Sequence, residues 1–288
     1  MQALSIGGGC SVCRRWARYA ALKRQFGDVS KLQSEVQTLT TKLDTLEDQI
    51  RFKGLPAGGR SVTALKARIG AYRVYLGTLG YVPSSSAFDF VVDPKADMNA
   101  YFDGARLVIA PPLVGAIDTI LRDYSFRALK ELKPDFWDAN LTTASGLASG
   151  IADYLPASYL ASPVVGREFV RIYRARLPKD QYPKDYLRNL ANSSRFPQPG
   201  AENFDQYGLG EAWGGMFWTL RTAIGCPATK SGCPIIDQMI LDSWRVVPLN
   251  ANFGRQYARI LIAKTRLAAG AAASDQLRRD LVKRGMVL

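Results

Sequence analysis

Between residues 29 and 50 the apolar positions recur with alternating gaps of three and four: Val29, Leu32, Val36, Leu39, Leu43, Leu46 and Ile50, separated by Lys, Gln, Ser, Glu, Thr and Asp. This is a heptad pattern. Val29, Val36, Leu43 and Ile50 hold one core position, and Leu32, Leu39 and Leu46 the other. It predicts a helix whose narrow apolar stripe is best covered by a second helix of the same kind. β-branched Val alternating with Leu favours a parallel dimer, although so short a run makes a marginal pairing on its own. The competing reading is a helix packed back on its own chain.

Gly54, Pro56, Gly58 and Gly59 end the pattern and read as a linker. Ser61 then caps a helix with Val62, Leu65, Ile69, Tyr72, Leu76 and Leu79 on one face, closed by Gly80 and Pro83. Residues 88–92 read as a strand, and 101–109 as strand, turn and strand about Asp103-Gly104. After Pro111-Pro112 the apolar spacing predicts helices over 114–132, 143–160, 164–175, 209–224, 234–245 and 251–269. Strands early and helices late indicate an α+β fold: a small N-terminal antiparallel sheet, then a mainly helical lobe, preceded by the coiled-coil helix. The expected divisions are a basic N-terminal segment 1–28, the coiled-coil helix 29–53, the linker 54–60, a main domain 61–270 and a C-terminal tail 271–288.

The composition narrows the chemistry. The chain has 288 residues, 47% of them apolar, which suffices for a real core. It contains no histidine. That excludes an imidazole base, a Ser-His-Asp triad and a Cys-His pair, so any catalysis would have to use carboxylates, Lys, Tyr or Cys. The formal net charge of +13 favours acidic partners. The basic residues are scattered and no nucleic-acid motif accompanies them, so nucleic acid is disfavoured. Arg14, Arg15, Arg18, Lys23 and Arg24 read either as a solvated terminus or as a segment for an anionic surface. No stretch is long and apolar enough to span a bilayer, and no signal-peptide core is evident. The compartment is therefore left open. Cys10 and Cys13 form a lone CxxC, while Cys226 and Cys233 bracket a turn-rich loop that a disulfide could close in an oxidising compartment.

Four stretches carry a resemblance. They are Met98-Asn99-Ala100-Tyr101-Phe102-Asp103-Gly104, the helix around Ile120 to Leu129, Gly146-Leu147-Ala148-Ser149-Gly150-Ile151-Ala152-Asp153-Tyr154, and Gly210-Glu211-Ala212-Trp213-Gly214-Gly215-Met216-Phe217-Trp218. In order and spacing they resemble the edge strand, the HExxH helix, the ExxxD helix and the Gly-Glu-x-Trp helix of the thermolysin and fungalysin class of zinc metallopeptidases, the gluzincins. The resemblance covers residues 61–270. In that family two imidazoles one turn apart and a carboxylate hold zinc, leaving a place for water. The Glu of HExxH takes the water's proton, and a later His stabilises the oxyanion.

Here every one of those roles is lost. On the resemblance Asp123 and Arg127 stand at the two His ligands, Tyr124 at the general base, Ser149 at the third ligand and Tyr207 at the oxyanion-stabilising His. Only Asp153, the acid that orients a ligand His, is retained. The resemblance thus implies no metal, no cofactor and no catalytic residue. An ion-pair cluster of Arg127, Asp123 and Asp153 is expected to replace the metal, against the plainer reading that Asp123 and Arg127 are solvated charges. Asn99, Ala100 and Tyr101 lie on the edge strand that in the family pairs with a peptide backbone, and such an edge can hold a peptide without cutting it. Trp213, Phe217 and Trp218 read as core aromatics, and Glu211 lies beside the cleft.

The leading expectation is a pseudoenzyme, a protein-binding or scaffold subunit that self-associates or is tethered through residues 29–50. The alternatives are a structural subunit of a larger assembly, a carboxylate-based enzyme in the old cleft, and a basic nucleic-acid-associated protein.

Overall fold

The computed structural model describes residues 34–39, 58–81, 90–93, 95–96, 99–103, 106–139, 142–175, 184–196, 205–227 and 229–288. It divides into two units, Met1–Arg60 and Ser61–Leu288. In the first, residues 34–39 are helical and all exposed, with Val36 at 49% and Leu39 at 60%. The other heptad positions, Val29, Leu32, Leu43, Leu46 and Ile50, lie outside the described residues, as do Cys10, Cys13 and the basic segment.

Helix α1 spans Gly58–Thr78. It begins before Ser61, which therefore lies within the helix and does not cap it; the face of Leu65, Ile69, Tyr72 and Leu76 is buried, as the spacing requires, and so is Leu79 just past its end. Three short strands follow: β1 (Phe90–Val92), β2 (Ala100–Phe102) and β3 (Leu107–Ile109), in the spatial order β1-β3-β2. β2 and β3 form the expected antiparallel pair, Ala100 opposite Ile109 and Phe102 opposite Leu107. β1, however, runs parallel to β3, so the sheet is mixed rather than antiparallel. The connection from β1 to β2, residues 93–99, is too long for a two-residue turn; it carries the chain past one strand position, and β3 fills the place between. Leu107, Val108 and Ile109 are accordingly all buried.

Pro111–Gly115 forms a 3-10 turn, and α2 begins after it, at Ile117, and runs to Leu132. Helix α3 is Thr142–Tyr159. The helix expected from residue 164 starts later. Val164–Val165 is strand β4, paired antiparallel with β5 (Arg188–Asn189). Gly166, at a φ of 78° that favours glycine, breaks the chain before α4 (Arg167–Arg174). Helices α5 (Gln206–Ala223), α6 (Pro234–Val246) and α7 (Phe253–Lys283) complete the lobe.

Two pairings set the interior. α3 and α5 meet through glycines four apart on each, Gly146 and Gly150 against Gly210 and Gly214. A Cβ at Gly150 would lie 2.5 Å from Trp213 Cβ and 2.9 Å from Gly210 O. This crossing sets Ser149 and Asp153 beneath the first turns of α5. α7 bends at Gly270, where the backbone leaves the helical region, and the two arms fold together so that Ser274 Oγ donates to Ile262 O at 3.2 Å. Residues 271–288, expected to be a tail, are helical to Lys283 and belong to the second unit. Leu277 and Leu281 are core residues, and the Arg284 guanidinium donates to Asn192 O at 2.8 Å and Ser194 O at 3.0 Å.

The Cys226–Cys233 disulfide is formed. Arg221 clasps its loop by donating to the carbonyls of Pro227 and Lys230. Beneath it the buried Asp237 carboxylate accepts from Tyr154 at 2.7 Å, Ser158 at 2.7 Å, Tyr75 and the Cys233 amide. Burial outweighs these bonds and holds its pKa above the usual carboxylate range.

Candidate functional site

The rotation of α2 about its axis is fixed by what it buries: Ile120, Leu121, Tyr124, Ala128 and Leu129 all face the core. Tyr124 packs edge-on against Tyr72 of α1, ring centres 6.0 Å apart. Arg127, on the same side of the helix, pairs through Nε with Glu131 Oε1 at 2.9 Å, and Tyr81 donates to Glu131 Oε2 at 2.6 Å. The opposite flank carries Arg122 and Phe126, and it is this flank that meets α3 and the cleft.

The Arg122 guanidinium lies at the centre of the site. Its Nε donates to Asp153 Oδ1 at 2.6 Å, one terminal nitrogen lies 3.3 Å from Asp123 Oδ1, and the other lies 3.2 Å from Ser149 Oγ. Arg188 of β5 adds a second guanidinium contact to Asp153 Oδ1 at 3.0 Å. Asp153 is 0% exposed and Asp123 5%. The far oxygens of both carboxylates, Asp123 Oδ2 and Asp153 Oδ2, are buried and accept no hydrogen bond among the described residues. Burial pushes the Asp123 pKa up to about 7, against the pull of Arg122 and with the help of the Asp153 charge.

Above this cluster opens a cleft of about 240 Å³ lined by Phe102, Arg122, Asp123, Phe126, Ser149, Gln206 and Tyr207. Asp205 caps α5, accepting from the Tyr207 and Gly208 amides at 2.7 and 2.6 Å, which fixes the first turn and sets Tyr207 at the mouth. The guanidiniums also lie over rings, Arg122 over Phe126 at 4.8 Å and Arg188 over Tyr207 at 5.3 Å. On the remaining side stands β2. No strand pairs with its outer edge among the described residues, and Tyr101 is exposed. Asn99 precedes it, accepting the Ala100 amide on its side chain at 2.9 Å.

Of the residues singled out from the sequence, Asp123, Ser149, Asp153 and Tyr207 come together here. Arg127 and Tyr124 do not. The ion-pair cluster is built around Arg122 and Arg188 instead of Arg127. Arg127 is about 140° around the helix from Arg122, beside Tyr124 and Glu131. Tyr124 could have given this away in the sequence, because it belongs to the apolar stripe of α2 and cannot also face a wet cleft. Arg188 carries no comparable signal; it reaches Asp153 only because β5 folds back on β4. Glu211 is partly buried, and Trp213, Phe217 and Trp218 are buried as expected.

The raised Asp123 pKa makes stability depend on pH with a definite sign. Its folded value lies above the unfolded one, so its proton is held more tightly in the native state. The associated stability is full below about pH 4 and is lost as pH rises through about 7, up to about 4 kcal/mol for a shift of this size. Asp123→Asn is expected to lose that slope and to be more stable than the parent at about pH 8. Urea unfolding of both proteins at about pH 5 and pH 8 measures it, and parallel profiles would refute the assignment.

The donor set does not fit zinc. The chain has no histidine, among the described residues no three of Cys, Asp and Glu cluster to hold a metal, and a guanidinium lies among the acids. No protein-family model, curated protein or solved structure matches this chain.

Proposed function

We propose that this chain is a catalytically inactive metallopeptidase homologue, a pseudoenzyme that works as a protein-binding or scaffold subunit. The observation that carries the reading is the Arg122 guanidinium, bonded at once to Asp153, Asp123 and Ser149. Moving the family resemblance by one residue along α2 puts Arg122 and Phe126 at the two ligand positions and Asp123 at the base. A fixed cation then stands in for the metal. It contacts the position of the third ligand and the retained acid, and it neutralises the charge that a divalent ion would otherwise neutralise. A guanidinium cannot bind and activate water as a Lewis acid, so the replacement keeps the helices in register without supplying catalysis. The outer edge of β2, which no strand pairs among the described residues, offers backbone groups beside the cleft to an extended peptide. The exposed Val36 and Leu39 offer an apolar stripe to a second helix, in keeping with self-association through residues 29–50.

One observation favours a different reading. Asp123 lines the cleft with a pKa near neutrality, which suits acid–base work. Its free oxygen is closed off from solvent, and its other oxygen is bound to Arg122, so a substrate would first have to displace the guanidinium.

Elemental analysis of the full-length protein, with hydrolysis of an unstructured protein substrate with and without added zinc, tests the proposal. The expected result is no retained zinc and no cleavage under either condition. Zinc-dependent cleavage would overturn it. Cleavage without metal that is lost in Asp123→Asn would move the assignment to the carboxylate enzyme.

A further inference from the structure

The bend of α7 leaves an apex that the fold does not use. Residues 266–272, Arg-Leu-Ala-Ala-Gly-Ala-Ala, are all exposed, and Leu267 is 89% exposed, the most exposed large apolar side chain among the described residues. Six of the seven are apolar or glycine. A sequence of this kind in a soluble helical hairpin would ordinarily bury its leucine or carry charges there.

The arms leading to the apex are cationic. Arg255, Arg259 and Arg266 on the first arm and Arg278, Arg279 and Lys283 on the second are exposed, and Lys264 is half-buried. Of the two acids on α7, Asp280 is paired with Arg284, which leaves Asp275 as the exposed one. Lys264 and Arg266 lie within two turns of Gly270, and Arg278 and Arg279 follow it by roughly 12–14 Å of helix. The hairpin thus ends in an apolar tip behind which positive charge is held at a fixed depth.

We infer that this apex docks on an anionic lipid surface, with Leu267 and the alanines entering the headgroup boundary and the flanking Lys and Arg meeting the phosphates. An interfacial element of this kind needs both parts, an apolar face and a basic collar. The apolar tip is what selects a membrane over nucleic acid, because a phosphate backbone rewards the collar and gives Leu267 nothing to bury against. The net charge of +13 adds long-range attraction to the same kind of surface. Ser274 Oγ, donating to Ile262 O, ties the second arm to the first close behind the apex, and Thr265 is buried there with its hydroxyl donating back to Leu261 O.

The test is co-sedimentation of the full chain with vesicles of phosphatidylcholine mixed with phosphatidylserine, and with phosphatidylcholine alone. The parent is expected to bind the mixed vesicles and to bind the neutral ones far less. Leu267→Asp, at a site that contributes nothing to the core, should weaken binding about ten-fold or more. Arg278→Gln with Arg279→Gln should weaken it about twenty-five-fold, five-fold per charge. Circular dichroism verifies that both variants are folded. Failure of the parent to bind the mixed vesicles overturns the inference. So does binding that neither variant weakens, since the contact must then lie elsewhere, such as residues 14–24. Tighter binding of duplex DNA than of vesicles, reduced by the arginine pair and untouched by Leu267→Asp, assigns the collar to nucleic acid and also overturns it.

Discussion

Arg122→Met is expected to be less stable than the parent by about 3–5 kcal/mol, among the largest losses from any single side chain in the lobe. The cost does not come from the worth of an ion pair as such. It comes from what is left behind. Asp153 is wholly buried, accepts from Arg122 at 2.6 Å, and already has one oxygen without a partner. Without Arg122 it keeps only the longer contact to Arg188, with the Asp123 carboxyl close enough to feel its charge. A double substitution separates the causes. Adding Asp153→Asn to Arg122→Met removes the stranded charge and should return most of the loss, a coupling that independent sites do not show. The surface pair Arg171–Glu168 is the control. Arg171 is largely exposed, and Arg171→Met there should cost less than about 1 kcal/mol. Chemical denaturation of five proteins, the parent, Arg122→Met, Asp153→Asn, their double variant and Arg171→Met, measures all of this. A loss in Arg122→Met no larger than that in Arg171→Met would remove the guanidinium from the centre of the site.

The same cluster marks the boundary of what the sequence could convey. The helices were legible because each carries an apolar face at three- and four-residue spacing: Leu65 to Leu76 on α1, Ile120 to Leu129 on α2, and the aromatics of α5. The disulfide was legible because Cys226 and Cys233 bracket a run of turn residues. The face of α2 that meets the cleft was misplaced by a single residue. Arg122 and Arg127 are both long cations on one helix, and the burial of Ile120, Leu121, Tyr124, Ala128 and Leu129 decides which of them turns toward Asp153. The parallel pairing of β1 could not be read either, because three-residue strands hold too little alternation to set direction, and the long-range partner β3 sets it instead. The second arm of α7 was hidden for a related reason. Leu277 and Leu281 are two apolar residues amid arginines, a pattern that fits a solvated tail. They become core only because Gly270 folds the arm back and Arg284 anchors its end on Asn192 and Ser194.

The crossing of α3 and α5 can be tested by one methyl group. Gly150→Ala is expected to lower stability by about 2 kcal/mol net, even though alanine in a helix interior is worth about 1 kcal/mol more than glycine. The added Cβ would sit 2.5 Å from Trp213 Cβ, 2.9 Å from Gly210 O and 3.1 Å from Gly214 N. Two of those three atoms are backbone and the third is the root of a buried indole, so no flexible end can move aside. Relief requires the helices to part, which loosens Phe217 of α5 from Tyr154 of α3 and draws Tyr207 away from Ser149 across the cleft. Gly70→Ala on α1 supplies the opposite case. It is also a helix-interior glycine, but an added Cβ there meets nothing within 4 Å, so the propensity gain of about 1 kcal/mol should appear undiminished. The same substitution on two helices should therefore shift the melting temperature in opposite directions, by roughly 5 °C down at Gly150 and a few degrees up at Gly70. If both variants move upward, α3 and α5 are not in backbone contact, and the glycine pairs lose their role in holding Ser149 and Asp153 beneath α5.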